Sequence, residues 1–272
     1  MKNFRAKILS NQRIAPDCFR MVLTGDFEDF NPQPGQFVML RIGDGFDPLL
    51  RRPFAAFKFE NQKRIFLEIL YKVVGHGTRI MSYLRPEHKL DLLGPLGKGF
   101  KIPDRIKVAF VVAGGMGIAP LRGLIYHLVE LPIDEIYVFM GARSSSELLF
   151  QDTFRKMEVC LQVSTEDGSA GHKGLVTEIF SRFLENHQIE EDIDKICFAC
   201  GPLPMLETLA RITSRYRLPC QVSLESRMAC GIGACLGCVI KLRNQNHSDQ
   251  DIERYGRVCL EGPVFDIQEI EW

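Results

Sequence analysis

The sequence has no excess of either charge. Its 34 Lys and Arg balance 34 Asp and Glu, so it presents no broad electrostatic footprint for nucleic acid or for an anionic lipid surface. Neither partner is expected. It also lacks a long apolar run: the longest, "VAFVVAGGMGIAPL", is interrupted by glycines and falls short of the about 18 apolar residues that a membrane span requires. Low-complexity tracts and internal repeats are absent. The opening stretch "MKNFRAKILSNQRIAPD" scatters its charges and has no apolar core of signal-peptide length, and it reads as a first strand rather than an export signal. Nine cysteines, an odd count with no export signal, argue against a disulfide framework and for a reducing, cytoplasmic setting.

At 272 residues the chain is longer than one typical domain, and its rhythm changes twice. From residue 4 to about 100, short alternating segments ("FRAKILSNQRI", "CFRMVLTG", "GQFVMLRI", "RRPFAAFKFE", "RIFLEILYKVV") are separated by turn residues, the pattern of an antiparallel barrel or sandwich. The segment "LDLLGPLGKGF" closes this unit, and its four Gly and Pro positions argue against a regular element there. Near residue 105 the order becomes strand, glycine turn, helix, repeated, as in a parallel α/β sheet. A third unit begins near Pro219. It holds a glycine-rich cysteine loop and a hairpin, "CVIKLR" to "YGRVCLEGPVF", joined by the polar loop "NQNHSDQDIE". The expected organisation is thus multi-domain α+β: an antiparallel β-barrel over 1–101, a parallel α/β nucleotide-binding domain over 102–218 and a small C-terminal cluster domain over 219–272.

Cys18, Cys160, Cys197 and Cys220 are isolated and expected to be buried as small apolar residues. The loop "RMACGIGACLGCVI" is different. Cys230, Cys235 and Cys238 are spaced C-x4-C-x2-C, and Cys259 follows twenty positions later, which matches the plant-type spacing for a 2Fe-2S cluster. The glycines between them allow positive φ and let backbone N–H groups approach the sulfides. Zinc is the rival, as in a non-enzymatic interaction module, but it more naturally uses two C-x2-C knuckles and this chain has one.

In "VVAGGMGIAPL" a hydrophobic strand runs into Gly114, Gly115 and Gly117, with a helix starting near Pro120. Such a turn offers N–H groups and a positive helix end to a phosphate, although any α/β unit can carry a glycine turn here. The turns "STEDGSAGHKG" and "ACGPLPM" follow strands of the same sheet and should gather with it at the carboxyl edge, where open α/β folds bind ligands. The competing reading of Cys200 in the second turn is a small residue at a strand end. In "LLRRPFAAF", Arg51 and Arg52 are either a solvated pair or, beside Phe54, Tyr71 and "GHGT" at 75–78, part of a flavin site in which an arginine meets the pyrophosphate. His76 alone reads as a loop histidine.

Taken together, "LRRPFA", "LYKVVGHGT", "LDLLGPLGKGF", "VAGGMGIAPL", "STEDGS", "CGPLPM", "LESRMACGIGACLGCVI" and "RVCLEGPVF" resemble the ferredoxin-reductase superfamily over the first two units. With the third, the whole chain resembles the electron-transfer subunits of NAD-linked dihydroorotate dehydrogenase. The resemblance implies FAD on the barrel, contacted by Arg52, Pro53, Phe54, Ala55, Leu70, Tyr71, Lys72, Gly77 and Thr78. It implies a 2Fe-2S cluster on Cys230, Cys235, Cys238 and Cys259, with NAD as substrate near Gly115, Gly117, Thr165, Asp167, Cys200, Gly201 and Pro202. It further implies an FMN-containing catalytic subunit as partner, in a heterotetramer of two chains of each. The related alternative is an FAD/2Fe-2S reductase subunit serving a hydrogenase, a sulfur reductase or a ferredoxin-linked enzyme. One departure stands out: the family places Ser or Thr, able to hydrogen-bond the flavin near N5, where this chain has Ala55.

Overall fold

The computed structural model describes the chain except residues 28, 44, 62–63, 188–193 and 244–252, and the side chain of 61. Nearly all of the polar loop expected between the hairpin strands lies outside the described residues. Strands β1 (Lys2–Ala15), β2 (Cys18–Gly25), β3 (Phe37–Arg41), β4 (Arg52–Asn61), β5 (Arg64–Lys72) and β6 (Lys89–Leu96) close an antiparallel barrel in the order β1-β2-β5-β4-β3-β6. Alternation explains it: Phe4, Ala6 and Ile8 of β1 point inward with Met21 and Leu23 of β2 and Leu67 and Ile69 of β5. Helix α1 (His76–Tyr83) lies between β5 and β6.

β6 corrects the expectation that "LDLLGPLGKGF" has no regular element. Its alternate residues Leu90, Leu92, Gly94 and Leu96 are buried, so the period-2 signal outweighs the Gly and Pro content. The β3 register shifts between Phe37↔Leu96 and Met39↔Leu93, which puts Pro95 at an irregularity where no ladder N–H is needed.

The second sheet has seven strands in the order β10-β9-β8-β7-β11-β12-β15. Its parallel core is β7 (Val108–Gly114), β8 (Glu135–Ala142), β9 (Cys160–Thr165), β11 (Lys195–Cys200) and β12 (Cys220–Ser223), with the short β10 (His172–Lys173) beside β9. Helices α2 (Ile118–Val129), α3 (Gln151–Phe154), α4 (Val176–Asn186) and α5 (Leu203–Arg215) connect them. Burial of all seven β7 residues is what a central parallel strand covered on both faces requires. β12 lies just past the expected seam at 219, and β15 (Val264–Asp266) runs antiparallel to it, so the cysteine loop and the hairpin β13 (Val239–Leu242) and β14 (Arg254–Arg257) are carried between two strands of this sheet. Among the described residues, no helix is long and apolar enough to cross a membrane.

Barrel and sheet are joined through a buried charge cluster. Glu68 on β5, 1% exposed, accepts from Arg20 Nε at 2.5 Å and from Arg122 Nη1 on α2. The Arg122 guanidinium lies 4.1 Å from the Phe150 ring centroid and 4.8 Å from that of Phe57. Of the isolated cysteines, Cys18, Cys197 and Cys220 are buried as expected, the last two as register partners on β11 and β12. Cys160 is exposed instead, because it opens β9 at the end of the strand away from the core.

Candidate functional site

A cleft of about 850 Å³ runs between the barrel and the carboxyl edge of the sheet. Strand pairing presents the barrel wall: Pro53, Phe54 and Ala55 from β4, and Leu70, Tyr71 and Lys72 from β5, with Thr78 of α1 beyond. Phe54 and Tyr71 meet edge to face with centroids 6.0 Å apart. The Tyr71 hydroxyl donates to Asn11 Oδ1 at 2.9 Å, and burial pushes it up to about 12. Lys72 reaches across to Glu147, 3.0 Å away on the opposite wall, and Arg143 approaches the same carboxylate at 3.6 Å.

Gly115, Gly117, Cys200, Gly201 and Pro202 form the facing wall, where the turns after β7 and β11 meet. Their contact is so close that a Cβ on Gly117 would fall 2.0 Å from the Cys200 carbonyl oxygen, so only glycine fits. The Cys200 side chain is fully buried; burial pushes its thiol well up, and the Glu225 carboxylate adds to this while Ser223 opposes it.

Four of the residues expected at a cofactor stand off this wall. Arg52 and Gly77 lie against each other past the barrel end: a Cβ on Gly77 would be 2.8 Å from Arg52 Nε, and Arg52 also donates to the Leu50 carbonyl. Beside them the Thr78 hydroxyl accepts from Val74 N at 3.0 Å and Gly75 N at 3.2 Å. Arg51 is an ion-pair residue, 2.7 Å from Asp91, and His76 pairs with Asp47 at 3.0 Å. Thr165 donates to the Ala170 carbonyl at 2.9 Å, and Asp167 accepts from the Ser169 hydroxyl at 2.6 Å, which holds its carboxyl below the usual range. Both shape the turn, and Glu166 between them reaches the cleft. Met228 also lines it, as do Glu147, Ser223 and Glu225, which were not singled out in the sequence. Ser223 ends β12, and Glu225 and Met228 follow it at the edge where the neighbouring strands also end.

The cysteine loop begins at the cleft wall and leaves it. Met228 lines the cleft and Cys230 lies two residues on, at most about 7 Å along the chain. Gly231 packs on Met39 of β3, whose register partner is Pro53 on the cleft wall. Cys230 Sγ accepts from Ile232 N and Cys235 N, each at 3.4 Å, and Cys259 Sγ accepts from Gly233 N at 3.1 Å. Gly233 needs its φ of +82° to aim that N–H inward. Burial works to raise the Cys230 thiol, yet these amides, with the Cys235 side chain, bring it down to about 6. Burial and the neighbouring Cys238 raise Cys259 to about 12.

Cys235 lies beside Cys230 and Cys238 beside Cys259, and the Cys230 charge is felt at Cys259 as well. Among the described residues no three His, Cys, Asp or Glu side chains converge on one point as a single ion would need. Four cysteines at this spacing, with backbone N–H groups directed at the sulfurs, fit a two-iron cluster. Arg257 clamps the loop, donating to the Gly233 carbonyl at 3.1 Å and to Glu261 at 2.5 and 3.0 Å.

A closed barrel packed on a parallel sheet, with a cleft between them and a four-cysteine loop that starts from the cleft wall, defines an oxidoreductase of ferredoxin-reductase type. Residues 111–211 match the oxidoreductase NAD-binding domain, and residues 225–271 match the iron-sulfur cluster binding domain of dihydroorotate dehydrogenase B. The chain is 36% identical over 271 residues to the dihydroorotate dehydrogenase B (NAD(+)) electron transfer subunit of Desulforamulus reducens, covering 100% of this chain and 99% of that one. The corresponding subunit of Caldanaerobacter subterraneus subsp. tengcongensis is 38% identical over 267 residues, covering 98% and 97%. Among solved structures, that of the NADH-dependent reduced ferredoxin-NADP oxidoreductase superposes with a TM-score of 0.82 at 28% identity, covering 98% of this chain and 90% of the other. A ferredoxin NADP+ reductase from Neisseria gonorrhoeae shares the fold alone, with a TM-score of 0.67 at 16% identity over 79% of this chain and 92% of that one. The chain belongs to the family of dihydroorotate dehydrogenase B electron transfer subunits.

Proposed function

We propose that this chain carries electrons from the FMN of a dihydroorotate dehydrogenase catalytic subunit to NAD, in the cytoplasm and in the service of pyrimidine biosynthesis. The observation that supports it best is the continuity of cysteine loop and cleft: Met228 is part of the cleft wall, and Gly231 rests on Met39 behind Pro53. A one-electron centre on Cys230, Cys235, Cys238 and Cys259 would then lie against a ring held at Phe54, Ala55 and Tyr71.

When bound, the 2Fe-2S cluster supplies single-electron transfer and FAD supplies the conversion between single electrons and hydride. The chain's own residues bind, orient and exclude water. Phe54, Leu70 and Tyr71 offer an apolar and aromatic wall for a flat ring, while Arg52 beside Gly77 and the first turn of α1 offer charge and amides to a pyrophosphate. Gly115, Gly117, Gly201 and Pro202 leave the opposite wall low enough for a nicotinamide. Thr165 and Asp167 keep the turn that frames the nucleotide in shape through Ala170 and Ser169. By cofactor, the chain divides at about 101 and 219: FAD on 1–101, NAD on 102–218, the cluster on 219–272. The partner is the catalytic subunit, two chains of each per assembly.

Co-expression with an FMN-containing catalytic subunit tests the reading. Anaerobically purified complex should hold one FAD per chain with iron and sulfide in equal amounts, and should form NADH from dihydroorotate. Colourless, iron-free material that still works would overturn it, and NADPH-to-ferredoxin turnover without orotate chemistry would favour a different partner enzyme.

A further inference from the structure

Opposite charges meet across the cleft. Lys72 ends β5 on the barrel wall and Glu147 ends the single turn Ser145–Glu147 on the sheet wall, with Nζ and Oε1 3.0 Å apart. Their side chains are 24% and 18% exposed, so water and salt screen this pair less than a surface pair. Glu147 does not hang on a free loop. The Ser145 amide donates to Ser169 Oγ at 2.8 Å, and that hydroxyl donates to Asp167 Oδ1 at 2.6 Å, so the turn bearing the carboxylate is tied to the turn after β9, the one proposed to frame the nucleotide. The barrel end is also in contact with the sheet: Lys72 is the register partner of Cys18 on β2, whose Sγ lies 3.8 Å from Met116 Sδ in the glycine turn after β7.

These contacts differ in what they specify. A thiol resting on a thioether and apolar walls facing each other are non-directional and let the two bodies slide, whereas a charge-assisted hydrogen bond prescribes a separation. The Arg122–Glu68 pair also joins the two bodies, but through α2 and away from the cleft lining. Arg143 approaches the second oxygen of Glu147 at 3.6 Å, yet it is exposed and stands on the same wall, so it cannot span the gap.

Resting on the function proposed above, we propose that Glu147 is a positioning residue for hydride transfer: by holding the Lys72 ammonium across the cleft, it sets the gap between the flavin wall and the nicotinamide wall. In that step a C–H bond of NADH breaks, the hydride carries both electrons to FAD, and NAD+ remains; the same step runs in reverse when NADH is formed. Hydride passes between groups about 3–3.5 Å apart, and a misplacement of about 1 Å can cost about 100-fold. The effect of Glu147 passes through Lys72 rather than through contact with either ring. An ion pair acting in this way carries a signature that packing alone does not, a dependence of the hydride step on ionic strength.

The test uses the complete complex with its catalytic subunit, comparing wild type, Glu147→Gln and Arg143→Gln by stopped-flow reduction of bound FAD at saturating NADH. Glu147→Gln slows the reduction about 10-fold. It also weakens the long-wavelength charge-transfer absorbance of NAD+ stacked on reduced flavin at least about twofold, an equilibrium reading that needs no turnover. Raising NaCl from about 0.05 to about 0.5 M slows wild type about threefold and leaves Glu147→Gln unchanged. Arg143→Gln stays within about twofold of wild type, and both variants keep FAD content and NAD+ affinity within about twofold. If NADH does not reduce bound FAD in the wild-type complex, the functional reading falls. If it does and Glu147→Gln keeps the rate, the absorbance band and the salt response, the assignment of Glu147 falls. The assignment also falls if Glu147→Gln keeps the saturated rate but loses NAD+ affinity, since the carboxylate is then a nucleotide contact, or if Arg143→Gln reproduces the loss, since the pair that matters then lies within one wall.

Discussion

Replacing Glu68 by glutamine tests what joins the two halves of the cleft. The substitution keeps the shape of the side chain and removes the charge between Arg20 on β2 and Arg122 on α2. Breaking a buried pair costs about 3–5 kcal/mol, because the surviving partner is left without compensation. Arg20 is 35% exposed and can turn to water, but the Arg122 side chain is 9% exposed and cannot. Burial already works against the Arg122 charge, lowering its affinity for its proton. The rings of Phe57 and Phe150 keep part of the compensation, so the loss belongs at the low end, about 3 kcal/mol. At about 2–4 °C per kcal/mol for a chain of this size, the melting temperature should fall by about 6–12 °C. Thermal unfolding followed by circular dichroism reads this directly. The pair Glu68→Gln with Arg122→Met should recover most of the loss, since an apolar side chain needs no counter-charge. A melting temperature unchanged within about 1 °C, or a double variant whose loss is the sum of the singles, would refute the reasoning.

Cys235→Ser should abolish the cluster's visible absorption and electron delivery from the partner while NADH still reduces FAD; intact delivery to NAD would show that the electrons take another route. Gly117→Ala forces a Cβ to 2.0 Å from the Cys200 carbonyl, so the two turns must part, and NAD+ affinity should fall at least tenfold by titration with FAD content unchanged. Arg257→Met removes the donors to Gly233 and Glu261, and iron release to a chelator should accelerate several-fold while the melting temperature changes little. Ala55→Ser introduces a hydroxyl on the cleft wall, and the midpoint potential of bound FAD should move while its affinity stays within about threefold.

Local signals were the legible ones. Alternation placed the strands of the barrel, and the C-x4-C-x2-C spacing found the cysteine loop because all its information lies within nine residues. Composition misled at β6, where burial of every second residue outweighs two glycine and proline positions. Thr165 and Asp167 do lie at the turn after β9, but their side chains fold back on Ala170 and Ser169, and orientation within a turn has no sequence period to reveal it. The Glu68–Arg122 pair spans 54 positions and links a barrel strand to helix α2, and no pattern along the chain connects them. The Lys72–Glu147 bridge is hidden for the same reason.

The cysteine loop hangs between β12 and β15, both belonging to the seven-stranded sheet, while the wall proposed for the flavin belongs to the barrel. With the cofactors bound as proposed, iron and nicotinamide would ride on one carriage and the isoalloxazine on another. A small tilt of that carriage would alter tunnelling distance and hydride distance at the same time, so the spacing of both transfers is governed by a single mechanical coordinate.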